Sequence, residues 1–144
     1  MLASSDALLE PEMAEVPSLV PHVVLIVDDE PHQTEVLSER LSRQGFKTVT
    51  AANGAEAEQM LQQYRPHLIV LDIHLPDVSG LDLCQRWSDA PETCEIPIVI
   101  VSGSDAPDTI RRCRSAGCRY FVRKPYDPNA LLTLMRSCLS DHSW

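Results

Sequence analysis

Four apolar stretches of this chain end in residues that a hydrophobic core would not select. The run through Val27 gives way to Asp28, Asp29 and Glu30, and Leu68–Leu71 ends in Asp72. Ile98–Val101 ends in Ser102 and Gly103, and Tyr120–Val122 leads into Lys124 and Pro125. If those ends meet, three carboxylates, one hydroxyl and one ammonium share a cleft. Close carboxylates repel one another unless a cation or protons intervene. Oxygen donors with no convergent Cys or His suit a hard cation, and a small site that retains water suits Mg2+. With that charge neutralised, a carboxylate can attack a phosphoryl group and become an aspartyl phosphate. Lys124 can then pair with the phosphoryl oxygens while the Ser102 hydroxyl donates to one of them. Asp72 is the best candidate nucleophile, because a central strand would present it alone in the middle of the cleft. Simpler readings compete at each position. Asp28 and Asp29 could cap a helix beginning near Pro31, Ser102 could be an ordinary strand-end hydroxyl, and Lys124 could be a surface cation.

The elements that would position these groups can be read from periodicity. Val23–Val27, Leu68–Leu71 and Ile98–Val101 are short, continuous and rich in Val and Ile, as expected of strands buried on both faces of a parallel sheet. Lys47–Ala51 and Tyr120–Val122 read as weaker strands. Between the strands, helical spacing links Val36, Leu37 and Leu41, then Ala57, Met60, Leu61 and Tyr64, and last Leu131, Leu134, Met135 and Cys138. Weaker helices are expected around Leu81–Trp87 and Asp108–Ala116. Pro31 and Pro128 fit first helical turns, Asp127 fits an N-cap, and Gly45 and Gly117 fit helix ends. Strand and helix thus alternate five times, which demands right-handed parallel crossovers and a sheet covered on both faces. The polar strand Lys47–Ala51 suits an edge. The expected fold class is α/β, a flavodoxin-like (βα)5 three-layer sandwich with sheet order 2-1-3-4-5, whose ligand site lies beyond the C-terminal ends of the strands.

Composition sets the outer bounds. The chain has 144 residues, 44% hydrophobic and 23% charged, which suits one globular domain. No apolar run approaches the roughly 20 residues of a membrane span, and the N-terminus carries no Lys or Arg of a secretory signal. A net charge of −9 disfavours direct contact with nucleic acid. Five cysteines without a C-x-x-C pair suit a reducing, cytoplasmic setting; Cys84, Cys113 and Cys138 fall on apolar helix faces as core filler. His22, His32, His67 and His142 show no metal-ligand spacing. Asp6, Glu10, Glu12 and Glu15 stand without a basic residue among the first twenty positions. Residues 1–21 therefore read as an acidic tail or linker, 22–140 as the domain and 141–144 as its C-terminal end.

Taken together, V-D-D-E at 27–30, L-D-I-H-L-P-D-V-S-G at 71–80, I-V-S-G at 100–103 and F-V-R-K-P at 121–125 resemble the receiver domain of two-component response regulators. The resemblance covers about residues 22–139. It implies that Asp72 is the phosphoacceptor and that Mg2+ is held by Asp29 directly, by Asp28 mainly through water, by Asp72 and by the backbone carbonyl of His74. It implies that Ser102 is the switch hydroxyl, that Lys124 contacts the phosphoryl group, and that Phe121 is the aromatic that turns inward on activation. Phe121 stands where Tyr is common, so its switch would operate by packing alone; a plain core aromatic is the competing reading. Pro125 would follow a cis bond, and Pro76 and Gly80 fit the loop after the phosphorylation site. His74 and Ser104 fall where such domains tune the lifetime of the acyl phosphate.

The partners implied are a sensor histidine kinase or a histidine phosphotransfer domain. Half of the twelve basic residues lie between 111 and 124. A solvated helix face would account for them, and so would an output face around Arg111, Arg112, Arg119 and Arg123 that meets an acidic partner or a second copy. No segment of the sequence reads as a DNA-binding or enzymatic output domain, so the chain is expected to be a stand-alone receiver or a receiver cut from a longer protein. Two other classes compete with this switch. A Mg2+-dependent phosphohydrolase would also use an aspartyl phosphate, but it would place a second carboxylate where His74 stands. A docking module that never takes phosphate would not need the full acidic set with Lys124.

Overall fold

A computed structural model of the chain describes residues 21–103 and 107–141. The tail expected over 1–21, apart from Pro21, lies outside the described residues, as do Ser104 and His142. Among the described residues five strands and five helices alternate: β1 (Val23–Val27), α1 (Pro31–Arg43), β2 (Lys47–Ala51), α2 (Gly54–Tyr64), β3 (Leu68–Asp72), α3 (Gly80–Asp89), β4 (Ile98–Ser102), α4 (Pro107–Ser115), β5 (Tyr120–Arg123) and α5 (Pro128–Asp141). The strands form one sheet in the order β2-β1-β3-β4-β5, with every pair parallel. The polar strand Lys47–Ala51 lies at an edge, as its composition requires.

Because side chains alternate along a strand, the sheet divides the core into two layers. Leu25, Val27, Ile69, Leu71, Ile98 and Ile100 face α2, α3 and α4, where they pack with Ala57, Leu61, Leu83, Trp87 and Cys113. Val24, Ile26, Leu68, Val70, Val99 and Val101 face α1 and α5, where Leu37, Leu41, Leu131, Met135 and Cys138 complete the second layer. The continuous apolar runs of β1, β3 and β4 follow from this double burial.

Local signals agree with the helix boundaries. Pro31 opens α1, and Asp127 Oδ1 accepts a hydrogen bond from the Asn129 amide at the start of α5. Gly45 and Gly117 take φ values of 93° and 89° after their helices, a region that L side chains rarely adopt. The helical spacing misplaces two residues: Tyr64, expected on one face with Ala57, Met60 and Leu61, is exposed at the end of α2 with the Lys47 ammonium over its ring, and Val36 is the larger departure. Val36 was expected on the apolar face with Leu37 and Leu41, yet it is 51% exposed. It lines a groove with His32, Arg40, Pro125 and Tyr126, because the stripe of α1 that meets the sheet is narrower than its sequence pattern.

Candidate functional site

Parallel pairing brings the C-terminal ends of the strands to one rim. Asp28 follows β1 and is buried, Asp72 ends β3 and is buried, and Ser102 ends β4 with no exposed surface. Asp29 is exposed beside Asp28, and Lys124 follows β5. Backbone bonds anchor the rim: the Asp28 amide donates to the Ala51 carbonyl at 3.0 Å, and the Lys124 amide to the Ser102 carbonyl at 2.8 Å. The Lys124–Pro125 bond is cis, as the resemblance implies.

The expected groups meet. One carboxylate oxygen from each of Asp28, Asp29 and Asp72 lies within 4.8 Å of the others. The Lys124 ammonium donates to Asp28 Oδ2 at 2.9 Å and stands 3.5 Å from Asp72 Oδ2. Asp28 also retains part of its competing role. Its Oδ1 accepts from the Glu30 amide at 3.0 Å and turns the chain into α1, whose N-cap Glu30 makes no side-chain cap of its own.

Burial and charge set the electrostatics. Burial pushes the Asp72 carboxyl above its ordinary pKa; the charge of Lys124 and the His74 amide, which donates to Asp72 Oδ1 at 3.2 Å, oppose the rise, and the charge of Asp28 adds to it. Burial works against the charge on Lys124, but its bond to Asp28 and the charges of Asp72 and Asp28 prevail, and its pKa is raised. A cation held in the cluster would relieve the crowding of carboxylates. The donors are all oxygen, which fits a hard divalent ion.

Other expected residues take their places around this centre. His74 is exposed and forms an antiparallel bridge with Ser79, which closes the loop after β3. Phe121 is half-buried, packed against the layer of α2, α3 and α4. Arg111 and Arg112 of α4, Arg119 just before β5 and Arg123 at its end are exposed. Arg111 pairs with Asp108 at 3.6 Å.

Sequence reasoning missed Asp77. Its carboxylate accepts from the amides of Gly54 at 2.8 Å and Ala55 at 3.0 Å, at the start of α2. The Gly54 bond chiefly, with help from Ala55, holds its carboxyl below the usual range despite some desolvation. An Asp after Pro76 reads locally as a loop residue. Its partners lie over twenty positions upstream, so no local pattern could expose the contact.

The family model described as a response regulator receiver domain matches residues 24–136. The chain is similar to the polar-differentiation response regulator DivK of Brucella anthropi, with 30% identity over 122 residues that cover 85% of this chain and 99% of that protein. Among solved structures it resembles the signal receiver domain of a signal transduction histidine kinase from Syntrophus aciditrophicus, at 31% identity and a TM-score of 0.79, covering 83% of this chain and 91% of that one. A CheY-like receiver domain protein from Methanospirillum hungatei shares the fold at a TM-score of 0.80 and 23% identity, covering 85% and 97%. Among the described residues no helix is long and apolar enough to cross a membrane.

Proposed function

The chain belongs to the response regulator receiver domain family, and on that premise we propose that Asp72 is the phosphoacceptor through which it acts as a switch. Receiver domains serve two-component phosphorelay signalling and interact with histidine kinases or phosphotransfer partners. The observation that carries the finer reading is the meeting of Asp28, Asp29, Asp72 and Lys124 at one rim of the sheet.

An Asp72 oxygen attacks phosphorus, the bond from phosphorus to the donor imidazole nitrogen breaks, and the histidine leaves with a proton. The product is a mixed anhydride on Asp72. Asp28, Asp29, Asp72 and the backbone carbonyl of His74 hold Mg2+, which supplies charge neutralisation for the incoming phosphoryl oxygens. Lys124 pairs with those oxygens and the Ser102 hydroxyl donates to one of them. The new charge draws Ser102 and Phe121 inward, and this biases a two-state equilibrium at the face around Arg111, Arg112, Arg119 and Arg123. That face meets an acidic output protein or a second copy, in the cytoplasm. His74 and Ser104 tune how long the acyl phosphate lasts; Ser104 lies outside the described residues. Residues 22–140 form the switching unit, with the acidic stretch before it as a tail or linker.

Intact mass after incubation with acetyl phosphate, with and without Mg2+, tests this reading. A single phosphoryl increment in the wild type that needs Mg2+ and is absent from Asp72→Asn is the expected result. A folded protein that neither binds Mg2+ nor gains mass would make this a docking module, and turnover of a generic phosphate ester would make it a phosphohydrolase.

A further inference from the structure

The loop between β3 and α3 begins directly after Asp72 and carries His74. It is tied at its base, where the Gly80 amide donates to the Ile73 carbonyl at 2.7 Å and His74 bridges Ser79. Its outer side is tied to a different element. The first turn of any helix leaves amides without partners inside the helix. In α2, the Glu56 amide donates to Asn53 Oδ1 at 2.8 Å and the Ala57 amide to the Asn53 carbonyl at 3.0 Å. The remaining two, from Gly54 and Ala55, donate one each to the two carboxylate oxygens of Asp77. The Ala57 bond is the first of the helix itself, so of the three amides at 54–56 that lack a helical partner Asn53 satisfies one and the loop satisfies two. The negative charge of Asp77 also faces the positive end of the helix. Gly54 permits this close approach, because a Cβ there would lie 2.4 Å from Val78 Cγ1.

We infer that Asp77 is a positioning residue for the chemistry at Asp72: its two-pronged grip on the start of α2 fixes the loop that carries His74, and with it the oxygen set offered to the cation. The inference rests on the proposed role of the His74 carbonyl. It assigns to an exposed loop residue, which touches neither cation nor phosphoryl group, a share in how well the site is assembled.

The test is calorimetric titration of the full chain with Mg2+, at a temperature where every variant is folded, together with the rate of labelling by acetyl phosphate. Asp77→Ala is expected to weaken Mg2+ binding about fivefold, the order of one lost cap, and to slow labelling by a similar factor. Asp77→Asn keeps one acceptor oxygen and should fall between Ala and wild type. Asn53→Ala removes a cap from the same turn and leaves the loop alone, so it should lower Tm yet keep the Mg2+ Kd within about twofold. The inference is overturned if Asp77→Ala lowers Tm while Mg2+ affinity stays at the wild-type value, or if Asn53→Ala weakens Mg2+ binding as much. It is also overturned if Asp77→Asn equals Asp77→Ala and both losses vanish in salt, since the effect would then be charge alone. A wild type that binds Mg2+ but takes no phosphate from acetyl phosphate leaves labelling of Asp72 to a kinase donor, while the titrations still decide on Asp77. A wild type that binds no Mg2+ overturns both.

Discussion

Lys124, from the end of β5, donates to the carboxylate of Asp28, from the end of β1, at 2.9 Å across the width of two intervening strands. The bond joins distant parts of the rim and places the ammonium beside Asp72. Replacing Lys124 with Met leaves buried carboxylates without their cation. Because the ammonium keeps some exposure, the expected loss is about 1–2 kcal/mol, read as a fall in Tm of about 5 °C at neutral pH. Mg2+ should restore part of this loss, and phosphorylation by acetyl phosphate should slow at least about tenfold.

Asp72 behaves in the opposite sense. Its carboxyl is raised, chiefly by burial, so its contribution to stability is full below its unfolded pKa and is lost as pH rises through the folded value. At about pH 7 the ionised group therefore costs stability in the metal-free protein. Asp72→Asn should raise the metal-free Tm there, and the advantage should fade near about pH 4. Mg2+ should raise Tm more in the wild type than in the variant. Thermal melts of both proteins across pH, with and without the ion, check this.

His67 provides a pH response away from the rim. Its Nδ1 accepts a hydrogen bond from the Val23 amide at 2.9 Å, and its own amide donates to the Val23 carbonyl at 2.8 Å. Burial chiefly, and the neighbouring His22, lower its pKa. The folded state thus favours the neutral ring. Stability from this residue is full above the ordinary histidine value and declines as pH falls through it toward the lowered one. Between about pH 7.5 and 5.5, Tm should fall more in the wild type than in His67→Leu.

Gly80 is a packing requirement. A Cβ at this position would lie 2.2 Å from the Asp72 carbonyl oxygen and 2.8 Å from Ile73 Cα, both backbone atoms that cannot rotate away. Gly80→Ala should cost about 2–3 kcal/mol by denaturant unfolding and should weaken Mg2+ binding by displacing β3 from α3. Gly103→Ala, which meets nothing within 4 Å, should change stability by no more than about 0.5 kcal/mol.

These residues also show what could be read before the fold was known. Three of the five strands, β1, β3 and β4, were legible because double burial demands unbroken apolar runs, as in Leu68–Leu71, and the polar rim residues were legible because they follow such runs. Parallel pairing then leaves one end of the sheet for Asp28, Asp72, Ser102 and Lys124 to share. Val36 was misread because spacing reports which residues share a helix face, not how wide the buried part of that face is. The grip of Asp77 on Gly54 and Ala55 was invisible for a different reason: it is a contact between a loop and the first turn of a distant helix, specified by the packing of α2 beside the loop after β3 rather than by any repeat in the chain. Asp28 joined two readings that had been set against each other, because a carboxylate has two oxygens.

The division of the core carries one more consequence. Tyr120 and Val122 pack into the layer of α1 and α5, while Phe121 between them packs into the layer of α2, α3 and α4. A reorientation of Phe121 is therefore absorbed on one side of the sheet only. The α1–α5 layer does not share that contact, so any repacking around the ring falls to the layer of α2, α3 and α4. The sheet is thus a partition: adjacent residues of one edge strand belong to two separate cores, and a change in one core reaches the other only through the backbone between them.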